Sequence, residues 1–375
     1  MKNILIIAFS DLNSDTRVKR QINYLGKFYK IFTIGLEPLQ TKKNGFYRIK
    51  HVEHSLFQRC IRALRYKLRH YEALYWDLYD FKPLLEVFSD KKFDLILAND
   101  VETLPLVFKI SGDAKILLDT HEYAPKHFDD QFLWRFFFRG FNEDLCAKYL
   151  NRCDAIMTVT DGVANEYKRN YKINPSVITN AVDYVELIPS EVDDNHIRII
   201  THGVANKNRR LEFMISIMDY IDDRFHLDLM LVPRNYRYYN YLKKMASGRN
   251  NVSVIPPVKQ HEIISYTNSY DLSFLIFKPY TVNFKYGLGN KTFESIQARL
   301  GLVTGISPEP QAEIVRKYGC GIVLDSFDPK KIALQLNELR VDDIIKFKQK
   351  ANIAAGKLTS VDNMKKLHKI VEELI

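Results

Sequence analysis

Short apolar runs, each followed by a longer stretch of helical period, recur in two successive series along this sequence, and that alternation restricts its fold more than any other feature. Continuous apolar runs suit strands buried on both faces, and parallel strands need helical crossovers to connect them. The first series predicts strands at Asn3–Phe9, Tyr29–Ile34, Leu95–Ala98, Lys115–Asp119 and Ala155–Val159. The second predicts Ile197–Thr201, Leu227–Val232, Val252–Ile255, Leu272–Ile276, Leu302–Thr304 and Gly321–Leu324. Between them, residues 180–195 carry Asn, Asp, Pro and Ser with little periodicity, as a connector does.

A chain of 375 residues has room for two such units. The expected architecture is α/β, two Rossmann-like domains with parallel sheets, residues 1–187 and 188–358, facing an interdomain cleft near residue 190. Residues 359–375 are expected to form a closing helix, since Met364, Leu367, Ile370, Val371 and Leu374 fall at helical spacing. Period alone does not decide which domain that helix covers. The apolar start Ile4–Ala8 is too short for a secretory core, and about 18 consecutive apolar residues, the length of a membrane span, occur nowhere. Four cysteines without a Cys-x-x-Cys pair fit reduced thiols, so a cytoplasmic protein is expected, soluble or peripheral on the inner face of the plasma membrane.

Lys and Arg number 55 against 45 Asp and Glu, a formal charge of +10 that asks for an anionic partner without choosing among nucleic acid, phospholipid and sugar nucleotide. In open parallel sheets such partners bind beyond the carboxyl ends of strands, where helix amino termini present free N–H groups. Four junctions qualify. Ser10–Arg20 is a polar loop opening a basic helix, and it lacks the Gly-x-Gly-x-x-Gly of dinucleotide folds. Asp119-Thr120-His121-Glu122 ends a buried strand with groups able to handle protons or sugar hydroxyls, or simply to cap a helix. Gly287-Leu288-Gly289-Asn290-Lys291-Thr292-Phe293-Glu294 is not a phosphate-binding P-loop, because Asn290 stands where that motif needs Gly. A helix starting there would aim N–H groups and Lys291 at a diphosphate while Glu294 accepts from ribose; a solvated surface cap is the alternative. His202-Gly203-Val204-Ala205-Asn206-Lys207-Asn208-Arg209-Arg210 gathers three cations, either a solvated basic turn or a place for bidentate phosphate contact.

In this order, Asp15-Thr16-Arg17-Val18-Lys19-Arg20, Asn99-Asp100-Val101-Glu102-Thr103-Leu104-Pro105, Asp119-Thr120-His121-Glu122-Tyr123, Asn180-Ala181-Val182-Asp183 and Asn290-Lys291-Thr292-Phe293-Glu294 resemble the GT-B glycosyltransferases, specifically the retaining, family 4-like enzymes of bacterial capsule, O-antigen and other cell-surface polysaccharide synthesis. The resemblance covers nearly the whole chain. It implies transfer of a sugar from a nucleotide sugar, UDP-linked in the first instance, to a lipid-linked or oligosaccharide acceptor. It assigns catalytic roles to His121, Arg209 and Lys291, and nucleotide-sugar contacts to Gly203, Asn290, Thr292 and Glu294. Asp15, Arg17, Glu122 and Tyr286 become candidate acceptor or sugar contacts. Tyr286 marks a departure, since the family's Glu-x7-Glu motif places an acid there. A sugar-nucleotide epimerase built on the same fold is the alternative that this departure keeps open. No Asp-x-Asp occurs, so no metal or other cofactor is expected.

Two surfaces complete the reading. Phe57, Ile61, Leu64, Leu68 and Tyr71 recur at helical spacing opposite Arg59, Arg62, Arg65 and Arg69, predicting one basic amphipathic helix over 57–71. Phe132–Phe141 packs a Trp and five Phe between arginines. Both suit an anionic inner-membrane surface, and both suit ordinary domain packing. A nucleic-acid partner is not expected, as no recognition module or Lys/Arg tail is present.

Overall fold

The computed structural model describes residues 1–41 and 45–375. They divide into two compact units: residues 1–179 with 280–283 and 361–375, and residues 180–279 with 284–360. Each unit is a parallel sheet flanked by helices. In the amino-terminal unit the strands are β1 (Asn3–Ile7), β2 (Lys30–Gly35), β3 (Phe46–Arg48), β4 (Leu95–Asn99), β5 (Lys115–Asp119), β6 (Ala155–Thr158) and β7 (Ser176–Val177), in spatial order β3-β2-β1-β4-β5-β6-β7. The carboxy-terminal unit holds β8 (Ile197–Val204), β9 (Phe225–Val232), β10 (Val252–Ile255), β11 (Leu272–Leu275), β12 (Gly301–Gly305) and β13 (Gly321–Leu324), in order β10-β9-β8-β11-β12-β13.

The buried strands follow from their composition. Ile4, Leu5, Ile6 and Ile7 of β1 are all fully buried, as only a strand covered on both faces can be. Winding reverses between β1 and β4 in one sheet and between β8 and β11 in the other. Those two points leave crevices beyond the strand ends that no crossover helix fills.

The last helix, Ser360–Leu374, settles what its period left open. Met364, Leu367 and Val371 are buried in the amino-terminal core with Ile4, Ile6, Leu95 and Leu117. The irregular stretch after Thr179 belongs with the carboxy-terminal unit, since Ala181 and Val182 pack with Leu288 and Phe293, and Ser360 N–H donates to Val182 O at 2.9 Å.

The helix expected over 57–71 is two. Helix Leu56–Lys67 ends where Arg69 takes a left-handed φ of 58°, and Tyr71–Trp76 is a separate helix. The apolar stripe of the first helix is not packed away: Leu56, Phe57, Leu64 and Leu68 are exposed, and Tyr66 is its one buried residue. Phe132–Phe141 divides similarly. Phe141 is buried against Tyr66 and Tyr71, whereas Phe132, Leu133, Phe136 and Phe138 are exposed. Among the described residues no helix is long and apolar enough to cross a membrane.

Candidate functional site

In the carboxy-terminal unit, β8 runs on to Val204 and delivers His202 and Gly203 to the carboxyl edge of the sheet. Gly203 has φ of +126°, a conformation that L side chains rarely adopt. A Cβ at this position would stand 2.6 Å from Lys291 Nζ and 2.7 Å from Arg209 Nη1, so the glycine is where two cations converge. Arg209 closes the short turn Lys207–Arg209 that follows β8, and Lys291 lies in the first turn of helix Asn290–Gln297. Glu294 follows Lys291 by three positions, so both share one helix face. Its Oε2 lies 2.9 Å from His202 Nε2.

The electrostatics of this cluster are those of two cations brought together in a partly dry setting beside one carboxylate. Burial and the neighbouring Arg209 hold Lys291 down to about 7, with Glu294 pulling the other way. His202 is held below its usual range by burial, which outweighs its bond to Glu294, while Lys291 and Arg209 push it down further. It is therefore a neutral imidazole at pH 7 whose Nε2–H donates to Glu294. A dianionic group beside Gly203 would meet two cations and the amino-terminal N–H groups of helix Asn290–Gln297.

One of the expected nucleotide contacts stands differently. Thr292 is 1% exposed and its Oγ1 donates to Gln311 Oε1 at 2.9 Å, tying the helix to the neighbouring Glu309–Tyr318 instead of facing a ligand. The cause is helical geometry: Thr292 lies on the same face as Ile296, inside the unit. Asn290 opens the helix. Tyr286 ends the short helix Val282–Tyr286, with Lys285 Nζ 4.7 Å above its ring.

In the amino-terminal unit, His121 lies just beyond β5. Asn99 Nδ2 donates to Ile7 O at 3.3 Å, which aims Oδ1 at His121 Nε2, 3.0 Å away, and fixes that nitrogen as a donor. His121 Nδ1 is 3.6 Å from Asp100 Oδ2, and Nε2 is 3.6 Å from Asp119 Oδ2. Burial works against charging this ring, but Asp100 and Asp119 outweigh it and raise its pKa. Asp100 itself has φ of 66°, strained for a residue with a side chain.

Arg17 is not a sugar contact. It is 6% exposed and grips the fully buried Asp119 with Nε at 2.6 Å and Nη2 at 2.8 Å, while Nη1 donates to Ile178 O at 2.9 Å. Gln21 adds a third bond to Asp119 at 2.7 Å. Removing one partner of such a pair costs about 3–5 kcal/mol. Asp15 caps helix Thr16–Leu25 by accepting from Val18 N–H at 3.1 Å, and Glu122 pairs with His127 at 2.9 Å. His202, Asn99 and Asp100 were not singled out by sequence reasoning; each sits at a strand end, beside a residue that was.

Residues 44–186 match the family model described as Glycosyltransferase Family 4. None of the curated proteins matches the chain in sequence. Anabaena HepE, solved in complex with UDP and glucose, superposes with a TM-score of 0.71 at 12% identity, covering 100% of both chains. Sucrose-phosphate synthase from Thermosynechococcus elongatus gives 0.69 at 11% identity over 100% of this chain and 99% of that one. S. aureus TarM, in a complex with Fondaparinux, alpha-GlcNAc-glycerol and UDP, gives 0.61 at 11% identity over 76% of this chain and 57% of its own.

Proposed function

Because this chain is GT-B in fold and family 4-like in its amino-terminal sequence, we infer that it is a glycosyltransferase moving a sugar from a nucleotide sugar, a UDP-sugar in the first instance, to a saccharide or lipid-linked acceptor in cell-surface polysaccharide synthesis. The observation that carries this reading is the convergence of Arg209 and Lys291 on Gly203, with Glu294 one turn along the same helix. A nucleoside diphosphate has the matching pattern of charge. Its diphosphate takes the two cations and its ribose hydroxyls take the Glu294 carboxylate.

Transfer breaks the bond between the anomeric carbon and the diphosphate oxygen, leaving negative charge on that oxygen. Arg209 and Lys291 neutralise that charge, helped by the partial positive end of helix Asn290–Gln297. His121 is assigned to the transferred sugar, where Asp100 and Asp119 favour the protonated ring, the form that can donate from Nδ1. The acceptor hydroxyl oxygen forms the new bond to the anomeric carbon on the face from which the diphosphate departs, and its proton passes to the departing phosphate oxygen, which gives retention. The absence of Asp-x-Asp from the sequence supports a reaction in which these cations do the work of a metal ion.

The exposed apolar side chains Leu56, Phe57, Phe132 and Phe136, interleaved with arginines, support a peripheral position on an anionic membrane, where a lipid-linked acceptor resides. Tyr286, in place of the motif's acid, favours keeping the epimerase as second reading. A thermal-shift screen of nucleotide sugars followed by product analysis tests the proposal. Slow nucleotide release supports transfer, epimer formation supports the second reading, and no nucleotide binding overturns both.

A further inference from the structure

We propose that the cavity beside helix Leu56–Lys67, within the amino-terminal unit, is the acceptor site and that it selects a saccharide bearing a carboxylate or phosphate. This rests on the glycosyltransferase reading above. The cavity measures about 710 Å³, within the range of sites for small ligands. Its wall carries Trp76 and Phe81, whose rings meet edge to face at 5.0 Å, and Phe81 is stacked in turn on Tyr75. Trp76, fixed in this way against the buried Phe81 and itself partly exposed, offers flat apolar surface to the C–H face of a sugar.

Polar groups on the same wall are unspent. Both ring nitrogens of His54 and Arg62 Nε are shielded from solvent and meet no hydrogen-bond partner. Shielded polar groups left unpaired are costly, so they mark where a ligand's acceptors belong. Of the charges on the wall, Asp77 is taken by Arg65, and Lys82 balances Asp80 in sign. That leaves Arg62, whose guanidinium also bonds the Tyr66 side chain but whose Nε has no partner, to recognise an anion. His54, held below its usual range by burial and by Arg62 and Arg59, is neutral and can both donate to and accept from a hydroxyl.

The cavity also adjoins the residues assigned to the chemistry. Tyr79, on its wall, donates to Glu102 Oε1 at 3.2 Å. Glu102 sits in the short turn Val101–Thr103 that begins beside Asp100, the neighbour of His121. Tyr79 therefore links the cavity wall to that turn.

The test is calorimetry on the full chain in saturating UDP, which occupies the diphosphate site. The probes are a glucuronate-containing disaccharide, glucose 1-phosphate and the neutral glucose disaccharide. The anionic probes are expected to bind about tenfold more tightly than the neutral one, the worth of one charge-assisted bond. Arg62→Gln is expected to erase that preference, Arg62→Lys to keep most of it, and His54→Ala to weaken all three probes. Equal binding of charged and neutral probes, or an unchanged preference in Arg62→Gln with an unchanged melting temperature, overturns the inference. A separate UDP titration distinguishes the two claims: if UDP itself does not bind, the glycosyltransferase reading has failed.

Discussion

Nε2 of His202 donates to Oε2 of Glu294 across 2.9 Å, joining the end of β8 to the first turns of helix Asn290–Gln297. The bond aims the carboxylate before any ligand arrives, so less ordering remains to be done on binding. Glu294→Ala is expected to weaken UDP binding by about 1–3 kcal/mol, the value of a charged hydrogen bond to ribose. Glu294→Gln, whose amide oxygen still accepts from His202, should lose less. Isothermal calorimetry reads both, and unchanged affinity in the alanine variant removes Glu294 from the nucleotide site.

Lys291 is expected to make UDP binding depend on pH. With a value of about 7 in the free protein, it is largely neutral at pH 8, and an adjacent diphosphate restores its charge. Binding at pH 8 should therefore take up close to ~1 proton, and affinity should fall by up to about tenfold per pH unit above neutrality. Calorimetry in buffers of different ionisation enthalpy measures the uptake. Lys291→Met should abolish it.

Gly203→Ala combines two penalties. The backbone angle is strained for any side chain, at about 1–3 kcal/mol, and the methyl group displaces Lys291 Nζ and Arg209 Nη1. Thermal melting should fall and UDP affinity should drop by about tenfold or more. A variant with wild-type affinity would show that the cations do not meet a ligand there.

Asp100 controls the charge of His121. Asp100→Asn removes the largest of the three carboxylate contributions, from Asp100, Asp119 and Asp15, that raise the histidine's pKa, so that value should fall, as read from the pH dependence of its ring signals by NMR. The sign carries to stability. A raised folded-state pKa stabilises the protein below its ordinary value of 6.5, and the gain is lost as pH rises through the raised one. In Asp100→Asn that slope should flatten, and an unchanged His121 titration would count against the pairing.

The exposed apolar side chains on either side of Tyr66 should bind anionic vesicles. Co-sedimentation with phosphatidylglycerol vesicles is expected to exceed that with phosphatidylcholine, and Phe57→Ser with Phe136→Ser should reduce it several-fold. Equal binding to both lipids, or none, rejects the membrane surface.

Where the chain is continuously apolar, its strands can be read directly: Lys115–Asp119, Val252–Ile255 and Gly321–Leu324 have the ends that their composition predicts. Edge strands are different. Phe46–Arg48 and Ser176–Val177 are too short to display a pattern, and they form because a neighbouring strand offers its open edge. The same contrast runs through the site. Gly203, Arg209, Lys291 and Glu294 lie at junctions whose local chemistry is visible. Arg17 reads as a candidate acceptor or sugar contact until Asp119, 102 residues away, is placed against it. Thr292 reads as a phosphate contact until the helix turns it inward. Long-range partners, and the direction a helix faces, are what local pattern lacks.

The packing of Met364, Leu367 and Val371 against β1, β4 and β5 bears on how the protein is made. During synthesis the amino-terminal sheet leaves the ribosome before the carboxy-terminal unit, yet one wall of its core is supplied by a helix translated after that unit. Until that helix emerges, Ile4, Ile6 and Leu95 face a gap, so the nascent chain carries an uncovered apolar surface while the whole carboxy-terminal unit is being built. The amino-terminal unit is thus completed only after the carboxy-terminal unit has been made, and chaperone demand should peak in that interval.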